Sequence, residues 1–166
     1  MRIGTGRSLV AGMLVGALAF GAASPSVALA KREKLSARIG GKHFKAKRFT
    51  IVGGNSSGIV TIAGGKASAG IGAGSAKFLS FSCAANLAGA TFPLTVDCAG
   101  LYTQTSVRRF AVTSKAWSGG SGLQVTFQSF DGTRVTGTFS GGWPAGDTNS
   151  TDPPLNVQGG RFAVDL

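Results

Sequence analysis

Few side chains in this chain could do acid, base or metal chemistry. The carboxylates are Glu33, Asp97, Asp131, Asp147, Asp152 and Asp165, the single histidine is His43, and the cysteines are Cys83 and Cys98. Glycoside hydrolysis needs two carboxyls flanking a bond at about 5 to 9.5 Å. Asp131 precedes Gly132 in a predicted turn, Asp147 and Asp152 stand in a Thr-, Asn-, Ser- and Pro-rich loop, and Glu33 lies in a basic tail. Gly54-Asn55-Ser56-Ser57-Gly58 spells G-x-S-x-G, but a nucleophile elbow runs from strand to helix with acid and histidine following. Here a strand pattern follows and His43 precedes, so the reading is a β-turn. Gly70-Ile71-Gly72-Ala73-Gly74 lacks the third glycine of a dinucleotide fingerprint and the strand-helix alternation around it. His43 is expected on an exposed face beside Arg38, without the partners a metal would need. The expectation is a protein that is not an enzyme, with no metal and no cofactor.

Charge is the stronger signal. The formal net charge is +11, and the excess is local. Lys31, Arg32, Lys34, Arg38, Lys42, Lys45, Lys47 and Arg48 fall in one stretch opposed only by Glu33. Such a cluster suits anionic polysaccharide, lipopolysaccharide or a membrane surface. No specific nucleic-acid motif accompanies it.

The start of the chain reads as a secretory signal peptide, residues 1–30. Arg2 and Arg7 precede an apolar run from Leu9 to Phe20, and Ala28-Leu29-Ala30 supplies the small residues a signal peptidase reads. The run is shorter than the roughly 20 residues of a spanning helix, and a segment without cysteine has no lipobox. The expected location is secreted or periplasmic, where Cys83 and Cys98 would form a disulfide. Residues 31–34 then make a basic, disordered mature N-terminus, and residues 35–166 a single β-domain.

The elements that must position these groups are strands. From residue 35 onward, short stretches of Val, Ile, Phe, Thr and Leu alternate with glycine-rich segments, and none shows a long helical period. Glycine pairs at 40–41, 53–54, 64–65, 119–120, 141–142 and 159–160 read as turns. A two-residue turn at Gly40-Gly41 pairs Ile39 with Lys42, Ala37 with Phe44 and Leu35 with Ala46. The other face then carries Lys34, Arg38, Lys45 and Lys47, like charges that want solvent or an anion. The phase of the pattern changes near Lys47-Arg48, which predicts a bulge or bend there. Between Leu123 and Ser140, a three-residue loop Phe130-Asp131-Gly132 sets Phe127 opposite Val135, Val125 opposite Gly137 and Leu123 opposite Phe139, and turns Gln128 and Arg134 outward. Further strands are expected at Gly58 to Ala63, Lys77 to Cys83, Leu94 to Cys98, Val107 to Thr113 and Arg161 to Leu166. Lys66 to Ser75, dominated by Ala, Gly and Ser, reads as a loop, as does Asp147 to Pro154. The fold class is all-β: an antiparallel β-sandwich or flattened up-and-down barrel of eight or nine short strands.

Val135-Thr136-Gly137-Thr138-Phe139-Ser140, followed by Gly159-Gly160-Arg161-Phe162-Ala163-Val164, resembles the closing strands of small exported bacterial β-domains of unknown function. Those domains often open, as Ser36 to Phe44 does, with a short strand, a turn and an aromatic. The resemblance implies a fold type and supplies no catalytic residues. Many of its members are lipoproteins, and this chain departs from them in lacking a lipobox.

The functional expectation is a non-catalytic binding or structural module contacting anionic envelope polymers through Lys34, Arg38, Lys45 and Lys47. The alternative is a small-ligand or carbohydrate carrier using the barrel mouth, with Trp117 and Trp143, expected at strand ends or loops, as a stacking platform.

Overall fold

The computed structural model describes residues 32–47, 50–109, 111–144 and 152–166. The expected signal peptide, Arg48 at the expected bend, and positions 147–151 of the expected loop lie outside these residues. Nine strands follow one another: β1 Lys34–Ile39, β2 Lys42–Lys45, β3 Val52–Ser56, β4 Ile59–Gly70, β5 Ala73–Ala84, β6 Leu94–Arg108, β7 Ala111–Phe130, β8 Arg134–Trp143 and β9 Leu155–Asp165. No α-helix occurs among the described residues. β1 starts one residue before the boundary expected for the β-domain, and the carbonyl of Arg32 accepts from the Arg134 guanidinium at 3.0 Å.

All nine strands belong to one antiparallel sheet in the order β2-β1-β9-β8-β7-β6-β5-β4-β3. β3 to β9 form a meander, and the first hairpin joins its far side through β1. The sheet then curls into a half-barrel. Lys47 N–H donates to Gly65 O at 2.8 Å, and Gly65 N–H donates to the Thr50 hydroxyl at 3.0 Å, which brings the segment after β2 onto β4. β3 meanwhile comes so close to β9 that a Cβ on Gly53 would stand 2.7 Å from Val164 Cγ1.

The first hairpin has the expected register: Ile39 opposite Lys42, Ala37 opposite Phe44, and Ala46 N–H bonded to Leu35 O. Gly40 and Gly41 take φ of +54° and +75°, the two left-handed residues a twist-matched hairpin turn requires. Leu35, Ala37, Ile39, Phe44 and Ala46 are buried.

The remaining glycine pairs correct the expectation, because all five lie inside strands. The curled sheet leaves little room between its walls, and glycine clears space for large side chains. A Cβ on Gly137 would sit 2.3 Å from Phe162 Cζ, and one on Gly160 would sit 2.5 Å from Phe139 Cδ2. Phe81, Phe127, Phe139 and Phe162 fill that space, with ring centroids 5.0 to 6.4 Å apart. Burial of these four rings with Leu79, Leu123, Val125, Val135 and Val164 makes the core the main stabilising term.

The β7–β8 register also differs from expectation. Val125 pairs with Phe139 and Phe127 with Gly137, while Phe130 pairs with Val135. A bulge at Gln128 takes up the difference, and the loop is Asp131-Gly132-Thr133. The Asp131 carboxylate fixes that loop by accepting from Thr133 N–H at 3.1 Å and Arg134 N–H at 2.7 Å. The inward faces are as expected, since the slip is two residues and preserves parity. Arg134 keeps the outward parity, opposite Asp165, but is only 8 % exposed, because its guanidinium lies along the sheet and donates to Asp165 at 2.5 Å and to Ala163 O at 3.3 Å.

Two further corrections concern the longest strands. Lys66 to Ser75 is no loop but the tip of the β4–β5 hairpin, paired residue for residue from Lys66 with Lys77 to Gly70 with Ala73. Val107 to Thr113 is not one strand but the turn from β6 to β7, with Val107 opposite Val112. Ala, Gly and Ser have weak strand propensity, but the hairpin ladders satisfy their backbone groups and neighbouring strands hold them.

Cys83 and Cys98 face each other directly across β5 and β6 and are joined as a disulfide. No helix of the described residues is long and apolar enough to cross a membrane.

Candidate functional site

The outer face of the first hairpin carries Lys34, Arg38, His43, Lys45 and Lys47, all exposed. Register places Arg38 opposite His43 and Ser36 opposite Lys45. On the other side of β1, Ser36 faces Arg161 of β9, so Lys45 and Arg161 flank one serine on a continuous surface. Sequence reasoning missed Arg161 because its neighbours come from the opposite end of the chain.

A β-bulge shapes this face. Between Ser36 and Arg38 the β1–β9 register slips at Gln158-Gly159, where Gly159 takes φ of +57°. The bulged backbone opens a shallow hollow of about 300 Å³ lined by Ser36, Arg38, His43 and Gln158. These groups offer a guanidinium, an imidazole, a hydroxyl and an amide to one small volume. That donor set matches a carboxylate, sulfate or phosphate oxygen, and a guanidinium can grip such a group with two parallel hydrogen bonds.

The inner face has a second basic region. Between the core and the hairpin tips, successive rows of side chains cross β4, β5, β6 and β7. The row Gly64, Leu79, Tyr102 and Trp117 closes the core, and Tyr102 meets Phe44 edge-on at 6.1 Å. The next row outward is Lys66, Lys77, Gln104 and Lys115, and the one after it Ser68, Ser75, Ser106 and Thr113. Lys66 lies 5.8 Å from the Phe44 ring centroid and donates to His43 O at 3.3 Å. Lys115 is bonded to Asp152. Lys77 is held below the usual lysine range, first by loss of water around it and then by the charges of Lys66 and Lys42. Burial pushes the Tyr102 phenol up.

A signal for this region does stand in the sequence. Lys66-Ala67-Ser68 and Ser75-Ala76-Lys77 mirror each other about Ile71-Gly72, as a hairpin with matched cross-strand pairs would. Composition hid it.

The tryptophans are spent in packing. Trp117 lies in mid-β7, buried, and its indole N–H donates to Pro153 O at 3.3 Å. Trp143, at the end of β8 and also buried, covers Gly100 of β6 so closely that a Cβ there would lie 2.5 Å from its ring. Its Nε1–H has no hydrogen-bond partner among the described residues. Neither ring presents an open face for stacking.

The potential catalytic groups are dispersed. Ser56 ends β3, and Ser57-Gly58 makes the turn into β4. Asp131 caps its loop, Asp152 bonds Lys115, Asp165 bonds Arg134, and Asp97 is exposed on β6 opposite Gln124. Asp147 lies outside the described residues. Among the described residues, no group of three or more His, Cys, Asp or Glu side chains converges as a metal site would require.

No protein-family model, no curated protein and no solved structure matches this chain.

Proposed function

We propose that the protein is an exported, non-catalytic β-module that contacts anionic envelope polymers through the outer face of its first hairpin. One observation carries this reading. Arg38 and His43 line the hollow at the Gly159 bulge, with Lys45 and Arg161 beside it, while the nearby β9 carboxylate, Asp165, is bound to Arg134. Like charges crowded on one sheet face repel, and a polyanion relieves that repulsion. Anionic polysaccharide, lipopolysaccharide and a membrane surface share the required chemistry.

Export is part of the proposal. It is supported by the leader-like pattern of residues 1–30 and by the disulfide, a bond that persists in oxidising compartments. A flattened barrel is the proposed form of the curled sheet, supported by the contacts from Lys47 and Thr50 to Gly65. A carbohydrate carrier using Trp117 and Trp143 is the weaker reading, since both rings are buried.

The test is retention on a heparin column beside a variant with Lys34, Arg38, Lys45 and Lys47 changed to Glu. The parent is expected to stay bound above about 0.15 M salt, where the Debye length is already near 8 Å, and the variant to elute at clearly lower salt than the parent. Co-elution of the two, at whatever salt, would reduce the outer face to a solubilising surface.

A further inference from the structure

The inner face carries its own basic region, separate from the outer hairpin. We propose that the rows crossing β4 to β7 beyond the core bind a segment of acidic glycan, with Lys66 and Lys77 holding its anionic groups and Gln104, Ser75 and Ser106 its hydroxyls.

The argument starts from the pairing. Lys66 and Lys77 stand directly opposite each other on adjacent strands, where backbones are about 4.8 Å apart. Two ammonium groups so placed disfavour each other unless an anion lies between or above them. The Lys77 pKa is lowered accordingly, first by loss of water around the ammonium and then by the cations Lys66 and Lys42. Lys42 belongs to the same face, because it continues the inward parity of Phe44 along β2.

The surroundings choose the class of anion. Beyond the lysines the surface turns to neutral hydrogen-bonding groups, an amide at Gln104 and hydroxyls at Ser68, Ser75, Ser106 and Thr113, followed by the guanidinium of Arg108. Gln104, Ser68, Ser75, Ser106 and Arg108, with Lys77 and the small residues of the β4–β5 tip, line an open recess of about 560 Å³. Alternation of cations with neutral donors and acceptors, over successive rows about 7 Å apart along the strands, complements a polymer whose acidic groups alternate with hydroxyls. A bare inorganic anion would use only the lysines. A lipid surface would need exposed apolar side chains on this face, whereas Ile71 lies on the turn at the β4–β5 tip and Val112 has the strand parity opposite to that of Thr113.

The test titrates the isotopically labelled whole protein with a heparin tetrasaccharide, inorganic sulfate or a neutral dextran oligosaccharide, following backbone amides by NMR. The tetrasaccharide is expected to shift the amides of Lys77, Gln104 and Ser106, and Lys77→Gln to weaken that binding about tenfold while the protein stays folded. Arg108→Ala, at an exposed position, should weaken it about threefold. Charge reversal at Lys34, Arg38, Lys45 and Lys47 should leave these shifts in place, so the outer-face reading can fail alone. Shifts confined to the first hairpin, unchanged affinity in Lys77→Gln, or sulfate binding as tight as the tetrasaccharide would each overturn the proposal. So would binding to anionic phospholipid vesicles that is lost in Ile71→Ser, which would make this end a membrane-contacting tip.

Discussion

Replacing Gly137 by alanine probes the packing that holds both basic faces in place. The added Cβ would lie 2.3 Å from Phe162 Cζ, 2.8 Å from Cε1 of the same ring and 2.4 Å from the Thr126 carbonyl oxygen. Phe162 cannot swing aside freely, because Phe81, Phe127 and Phe139 surround it with centroids at 5.7, 5.8 and 6.4 Å. The Thr126 carbonyl is fixed too, since β7 is flanked by β6 and β8. Overpacking a core costs about 1–3 kcal/mol, and a clash with ring and backbone together places this variant near the upper end, about 3 kcal/mol. For a domain of this size that lowers Tm by roughly 10 °C. Gly120→Ala is the matched control, since nothing stands within 4 Å of its added Cβ. There, a smaller unfolded-state entropy should raise stability by about 0.5 kcal/mol. Thermal unfolding followed by circular dichroism reads both. A Gly137→Ala protein melting within about 2 °C of the parent would refute the packing, and the close approach of β8 to β9 with it.

Two further outcomes follow. Reducing the Cys83–Cys98 bond, which spans 15 positions, should cost about 3 kcal/mol if loop-closure entropy dominates, seen as a lower urea midpoint in dithiothreitol that Cys83→Ala/Cys98→Ala shares. Lys77 has a folded pKa below its unfolded value of 10.5, so the unfolded chain keeps the proton longer and stability should rise with pH between those two values. Lys77→Gln should abolish that rise and add about 0.3 kcal/mol at neutral pH, a cross-strand repulsion discounted for exposure. Urea midpoints measured below pH 10 read it cleanly, because Tyr102, with its pKa raised from 10.0, works in the opposite direction above that.

How much was legible in the sequence depended on whether a local rule applied. The Gly40-Gly41 hairpin needed only parity and turn chemistry, so its register and its basic face could be read directly. The disulfide partners were the only pair available. Glycine misled elsewhere. At Gly64, Gly137 and Gly160 it marks space taken by side chains from strands distant in sequence, so no local pattern separates it from turn glycine. The register of β7 on β8 failed for a related reason: the Gln128 bulge suits the packing of Phe162 against Gly137, a contact that requires β9. The inner lysine rows went unread because Ala, Gly and Ser around Lys66 and Lys77 suggested a loop, although their mirrored order already encoded a hairpin. Arg161 joins the basic outer face only through the pairing of β1 with the last strand.

The most direct measurement is equilibrium binding of the whole protein to an acidic polysaccharide and to a neutral one of equal length, at about 0.05 M and about 0.2 M salt. Charge-directed binding predicts affinity for the acidic polymer alone, falling at least tenfold across that range as screening grows. Equal affinity for both polymers, or affinity indifferent to salt, would contradict it.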